Sequence, residues 1–114
     1  MIDGFNVSLA GLNVFSRQLE TIANNTANVN TDGYKAQKAT IKEDKEGGPE
    51  LTISLNTTPG IPIQVPDSPV RETSNVDLSG EMPNLLVARK GYEANLKVLK
   101  TEEELSKSAL DLLA

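Results

Sequence analysis

The chain has no cysteine, no histidine and no tryptophan. Without cysteine there is neither a disulfide framework nor a thiolate metal site. Without histidine the commonest general base and the commonest metal ligand are both missing. Only four residues are aromatic, two Phe and two Tyr. A compact core in a chain of 114 residues normally uses more large anchors, so the composition favours an elongated shape held by aliphatic seams. No run of about 18 apolar residues is present, which predicts no direct membrane insertion. The start, Met1-Ile2-Asp3-Gly4-Phe5-Asn6, has neither a basic n-region nor a continuous apolar h-region. A cleaved secretory signal is therefore not expected. The net charge of -5 is spread along the chain, and no concentrated basic surface exists to bind nucleic acid.

What is present falls into three zones that together make one structural domain: 1–33, 34–76 and 77–114. In the first, large apolar residues occur at Phe5, Leu9, Leu12, Phe15, Leu19, Ile22 and Val29. Steps of three and four make a heptad-like stripe on a helix, with Asp3 or Asn6 as its cap. Asn28, Asn30, Thr31, Asp32 and Gly33 then signal a stop.

The middle zone holds every proline but Pro83. Three extended pieces are predicted, at 36–43, 51–55 and 61–65. Leu51, Ile53 and Leu55 alternate with polar residues, as in a half-buried strand. Glu46-Gly47-Gly48-Pro49 is the expected hairpin turn.

In the third zone Ser79 or Gly80 is the expected cap, with Pro83 in the first helical turn. A stripe follows at Met82, Leu85, Leu86, Tyr92, Leu96, Leu99, Leu110 and Leu113. Glu93 with Lys97, Lys100 with Glu104, and Glu103 with Lys107 stand four apart, suited to ion pairs. A helix of roughly 50 Å is too long for a small core to cover. Its apolar face needs another long helix. The fold expected is mainly α with a small β or irregular middle, the two terminal helices packed as an antiparallel coiled coil. Leu12, Phe15, Leu19 and Ile22 are expected to meet Leu85, Tyr92, Leu96 and Leu99, while Leu105, Leu110, Leu112 and Leu113 extend beyond.

Some residues resist this simple account. Asn is poor inside helices, yet Asn24, Asn25 and Asn28 crowd together. They read either as a fraying end or as amides that fix register. Gly91 costs about 1 kcal/mol in a helix interior unless another backbone approaches it. Glu102, Glu103 and Glu104 point about 100° apart on a helix, so they read as a solvated face rather than a metal site. The spacing of Ser, Lys, Asp and Glu selects no catalytic set, and no phosphate-binding loop is present. Neither enzyme activity nor a cofactor is expected.

The stretch from Ile22 to Lys35 includes Asn24, Asn25, Asn28, Thr31, Gly33 and Tyr34. It resembles the N-terminal signature of bacterial flagellar rod, hook and related axial proteins, roughly I-A-N-N-x-A-N-x-x-T-x-G-[YF]-[KR]. The stretch from Asn75 to Thr101 is similar to that family's C-terminal signature, at Asn75, Val76, Asp77, Glu81, Met82, Leu85, Arg89, Tyr92, Ala94, Asn95 and Thr101. The resemblance implies a structural subunit that stacks helically into the flagellar basal-body rod, in the periplasmic space. The short middle implies a proximal-rod-like member. The implied partners are other rod subunits, copies of the same chain, and the type III export apparatus, which takes substrates without a cleaved signal. The rival expectation is a soluble helical adaptor or export chaperone of that apparatus.

Overall fold

The computed structural model describes residues 2–114, with side chains from residue 4 onward. The expected cap Asp3 lies outside the described side chains. Two helices dominate, α1 (Ile2–Ala27) and α2 (Leu78–Leu113). Between them stand four short strands: β1 (Gln37–Glu43), β2 (Pro49–Leu55), β3 (Pro62–Ile63) and β4 (Arg71–Glu72). The chain is thus mainly helical, with a small antiparallel β middle. It is extended, measuring 80 × 25 × 17 Å. At 1.5 Å per residue, α2 alone is about 54 Å long.

α1 already includes Asn6, which is therefore an interior residue rather than a cap. The helix stops where Asn28 turns on its own last turn. The Asn28 Nδ2 donates to the Asn24 carbonyl at 2.8 Å. Its Oδ1 accepts from the Thr31 hydroxyl at 3.0 Å. Gly33 then takes φ 71°, a region that favours glycine, and its N–H reaches the Glu72 carbonyl at 2.8 Å.

β1 and β2 form an antiparallel hairpin in which Ala39 faces Ile53 and Ile41 faces Leu51. Alternation puts these four on one side and Lys38, Lys42, Glu50 and Thr52 on the other. The turn lies one step earlier than expected. Gly47 has the positive φ of 87°, Asp44 N–H bonds to the Gly48 carbonyl at 2.6 Å, and Pro49 opens β2. Of the third extended piece only Pro62 and Ile63 pair, with Glu72 and Arg71. Prolines at 62 and 66 remove the N–H groups that a longer ladder needs.

α2 begins earlier than expected. Asp77 is its N-cap, in extended geometry, and neither Ser79 nor Gly80 caps it. Pro83 consequently stands beyond the first turn, where it leaves one helical carbonyl without its usual donor. On the outer face Glu93 pairs with Arg89 at 3.0 Å, not with Lys97.

The helices lie side by side and run in opposite directions. Gly4 lies against Glu102, Gly11 against Asn95 and Phe15 against Gly91, and Asn25 bonds to Glu81. As the position on α1 climbs from 4 to 25, its neighbour on α2 falls from 102 to 81, one for one.

The seam is turned relative to the stripe of large apolar residues. On α1 the buried positions are Ser8, Gly11, Val14, Thr21, Ile22 and Asn25. On α2 the inward positions are Glu81, Leu85, Ala88, Tyr92, Asn95, Leu99 and Glu102, with Gly91 beside them. These seven are spaced by fours and threes without a break, the rhythm of one helix face. Small and polar residues occupy the centre because they allow the helices to approach closely. Val14, Ile22, Leu85, Tyr92 and Leu99 share the seam with them, and the other bulky residues flank it. Leu96, expected in the seam, is 48% exposed. Met82, Leu86, Leu110 and Leu113 are exposed as well.

Candidate functional site

The most specific geometry is the neck where α1 ends, the β middle begins and α2 starts. Asn25 is at its centre and only 1% exposed. Its Nδ2 donates to the Gln37 carbonyl at 2.7 Å and to Glu81 Oε1 at 3.0 Å. Its Oδ1 accepts from the Gln37 N–H at 2.9 Å and from the Tyr34 hydroxyl at 3.1 Å. Both amide hydrogens and both lone pairs are used, the full capacity of the side chain. By bonding both the N–H and the C=O of Gln37, the side chain imitates a neighbouring strand.

Asn75 works in the same way on the other side of the neck. Its Oδ1 accepts from the Ala36 N–H at 2.6 Å. Its Nδ2 donates to the Asn56 and Thr58 carbonyls at 2.7 and 2.9 Å. Two asparagines far apart in sequence thus bracket the first residues of the hairpin. Their short, branched amides bond backbone groups of Ala36, Gln37, Asn56 and Thr58, the first two in part-buried bonds and the last two in exposed ones.

Charge reinforces this join. Lys35 Nζ lies 3.0 Å from Glu72 Oε2, and that bond and charge hold the Glu72 carboxyl below its ordinary range. Arg71 pairs with Asp32 at 3.0 Å. At the α2 cap, Asp77 accepts from the Ser79 hydroxyl at 2.6 Å and the Ser79 N–H at 3.1 Å. These two donors lower the Asp77 carboxyl below its usual value.

Along the seam, Gly91 leaves room for the Phe15 ring. A Cβ there would come within 2.5 Å of it. The neighbour is thus an aromatic side chain, where the sequence suggested a second backbone. Gly11 leaves room for the Asn95 amide, whose Oδ1 would be 2.7 Å from an added Cβ. Asn95 also ties back to the Gly91 carbonyl through Nδ2 at 2.9 Å. Ile22 is buried, whereas Leu12, Phe15, Leu19, Leu85, Tyr92 and Leu99 are half-buried. Of the signature residues, Asn24 is exposed and contributes its backbone carbonyl, and Arg89 is exposed beside Glu93. Ser8, Gly11, Val14, Thr21 and Ala88 were missed by counting large apolar residues. Their own steps of three and four carry the signal.

A groove of about 580 Å³ opens between the hairpin base and the helices, lined by Gln18, Ile22, Leu55, Asn75, Glu81 and Asn84 among others. Among the described residues no cluster of potential metal ligands exists. No described helix is long and apolar enough to cross a membrane.

Comparison with known proteins matches both arms of this structure. Residues 5–35 fit the profile described as flagella basal body rod protein. Residues 71–112 fit that of the flagellar basal body rod FlgEFG protein C-terminal region. The flagellar basal-body rod protein FlgC of Buchnera aphidicola subsp. Baizongia pistaciae is 28% identical, over 95% of this chain and 94% of its own. FlgC of Salmonella typhimurium is also 28% identical, over 98% of this chain and 97% of its own. The flagellar hook protein FlgE of Escherichia coli K12 is 39% identical over 41 residues, 36% of this chain and 10% of its own. The two matched segments are the two helices and the neck that joins them, and the chain belongs to the flagellar basal-body rod protein family.

Proposed function

We propose that this chain is a structural subunit of the flagellar basal-body rod that polymerises through its terminal helices. The observation that carries the reading is the pairing of α1 with α2 along a seam of small and polar residues. That seam uses little of the bulky apolar surface. Phe5, Leu9, Leu86, Leu96 and Leu110 are each more than two-fifths exposed, far more than a lone soluble chain of this size gains from. Such faces suit helices that pack on further helices.

On this reading the pair is a coiled coil within the assembled rod. Leu12, Phe15, Leu19, Ile22, Leu85, Tyr92 and Leu99 support its seam, and Leu96 turns to a neighbouring subunit. Contacts between unlike surfaces do not close on themselves, so they generate helical polymers. The neck, with Asn25, Tyr34, Asn75, Asp77 and Glu81, fixes the angle at which the β middle leaves the helices. Partners are copies of the chain and other rod subunits. The chain reaches the periplasmic space through the type III export apparatus, and it carries out no catalysis. Nothing in the geometry or in the relatives favours the adaptor or export-chaperone reading.

The test is to delete the chain from a motile host and restore it in tagged form. Basal bodies should lose the rod and regain it, with the tagged chain inside. A tagged chain that stays in the cytoplasm bound to export cargo would contradict the proposal.

A further inference from the structure

Asp32 is followed directly by Gly33, and the sequence repeats that pair only at Asp3-Gly4. An aspartate before glycine is the peptide unit most open to isomerisation, because no side chain shields the glycine nitrogen. Asp32 and Gly33 are both exposed. They stand in the turn that leads from α1 to the neck.

The reaction needs no enzyme. The Gly33 main-chain nitrogen attacks Cγ of the protonated Asp32 carboxyl. An N–Cγ bond forms, a Cγ–O bond breaks, and the nitrogen's proton leaves with the hydroxyl as water. The product is a five-membered succinimide, which water then opens. Cleavage at Cγ restores aspartate. Cleavage at the main-chain carbonyl carbon gives isoaspartate, with the chain now running through Cβ. The mass is unchanged, and the backbone is longer by one carbon.

The fold opposes the first step at both reacting groups. The Gly33 N–H donates to the Glu72 carbonyl at 2.8 Å. To reach Cγ, its peptide plane must rotate about the Asp32 Cα–C bond, and that rotation breaks the hydrogen bond. The Tyr34 N–H closes the same turn on the Thr31 carbonyl at 3.2 Å. The Asp32 carboxylate is held by Arg71 at 3.0 Å, and Glu72 is tied to Lys35 Nζ at 3.0 Å. Each ion pair is exposed and weak alone, but together they hold β4 against the turn.

The converse follows from what lies downstream. The Tyr34 hydroxyl bonds Asn25, the Ala36 N–H bonds Asn75, and both backbone groups of Gln37 bond Asn25. One more backbone carbon at position 32 displaces these groups by roughly 1.5 Å, enough to break bonds of this length.

We infer that Asp32-Gly33 is an isoaspartate-forming site that the closed neck protects, so that isomerisation and neck closure exclude one another. A chain that stays unfolded accumulates the change, and a folded one does not. The inference concerns the neck alone and holds whether or not the chain enters a rod.

The full chain is aged at neutral pH in a stabilising osmolyte and, in parallel, in guanidinium chloride. Peptide mapping separates isoaspartyl from aspartyl peptides of equal mass, with Asp3-Gly4 in denaturant as the clock. In denaturant both sites should isomerise at similar rates. Under folding conditions Asp32 should isomerise severalfold more slowly. Lys35→Ala with Arg71→Ala removes both ion pairs and should speed Asp32 severalfold while circular dichroism still shows the helices. If that pair of changes unfolds the chain, Arg71→Ala alone is judged by the same criterion. Equal rates for the unaltered chain in the two conditions, or no acceleration in a folded variant, would overturn the inference. So would an isoaspartyl chain, purified and refolded, that melts at the parental temperature.

Discussion

Asn25 and Glu81, 56 residues apart in sequence, are joined by a 3.0 Å hydrogen bond from Nδ2 to Oε1. The bond crosses the helix pair at the neck, and the same amide holds both backbone groups of Gln37. It therefore couples three things: the register of α1 on α2, the end of α1, and the start of the hairpin.

Asn25→Ala should destabilise the fold by about 2–3 kcal/mol, because it removes the partner of both Gln37 backbone groups, of Tyr34 and of Glu81 at once. Thermal unfolding of the helical signal, followed by circular dichroism in a stabilising osmolyte, checks this. Asn25→Asp should be nearly as harmful, since an ionised carboxylate cannot donate to Gln37 or Glu81. A change within about 0.5 kcal/mol, the range of ordinary surface substitutions, would show that the neck is not fixed by this side chain.

Gly91→Ala should weaken the seam even though alanine is the better helix former. The propensity gain is about 1 kcal/mol. Against it stands the Phe15 ring, 2.5 Å from the new carbon, an overpacking cost of about 1–3 kcal/mol. Phe15→Leu, introduced together with it, should recover part of the loss. A double-mutant cycle measures that coupling, and strict additivity would remove Phe15 from the account of Gly91.

Legibility from sequence differed between these features. The helices were visible because apolar residues recur at threes and fours over long spans. The facing side of α1 was not, whereas on α2 Leu85, Tyr92 and Leu99 do stand at inward positions. Large side chains mark where apolar surface is, but the closest approach falls where side chains are small, at Gly11, Ala88 and Gly91. The size of Leu96 suggests a seam position, yet it lies outside, 48% exposed. The neck could be suspected from the density of asparagine, but its bonding pattern could not be read. Asn25 is satisfied by backbone groups of Gln37, and nothing local in the sequence marks those as unpaired. Ser79 and Gly80 both read as caps for α2 with Pro83 in the first turn, whereas Asp77, accepting from Ser79, starts the helix earlier.

Acid should loosen the neck and the start of α2 before the rest of the molecule. Asp77 and Glu72 both have lowered carboxyl values in the folded chain. Each therefore contributes stability that is fully present above its unfolded value and is lost as pH falls through the lowered folded one. Amide exchange at residues 78–81 should accelerate as pH drops below the ordinary carboxylate range, after correction for intrinsic rates. Asp77→Asn should flatten that dependence for α2 while leaving the part due to Glu72 and Lys35. Unchanged protection through that range would contradict the cap's role.

Leu19→Asp should abolish motility. Leu19 is half-buried on the flank of the seam, where an ionised carboxylate loses solvation without gaining a partner. Leu19→Met keeps the volume and should swim normally. Swimming by the aspartate variant, scored on soft agar, would reject a packed role for this flank.

In the proposed rod, the two terminal helices of each subunit pair in opposite directions. Electron cryomicroscopy of purified basal bodies from cells carrying this chain tests it most directly. Rod density should show α1 and α2 of one subunit side by side, with Asn25 level with Glu81 and Phe15 level with Gly91. Density in which the two helices of a subunit are separated, or a rod from which this chain is absent, would contradict it.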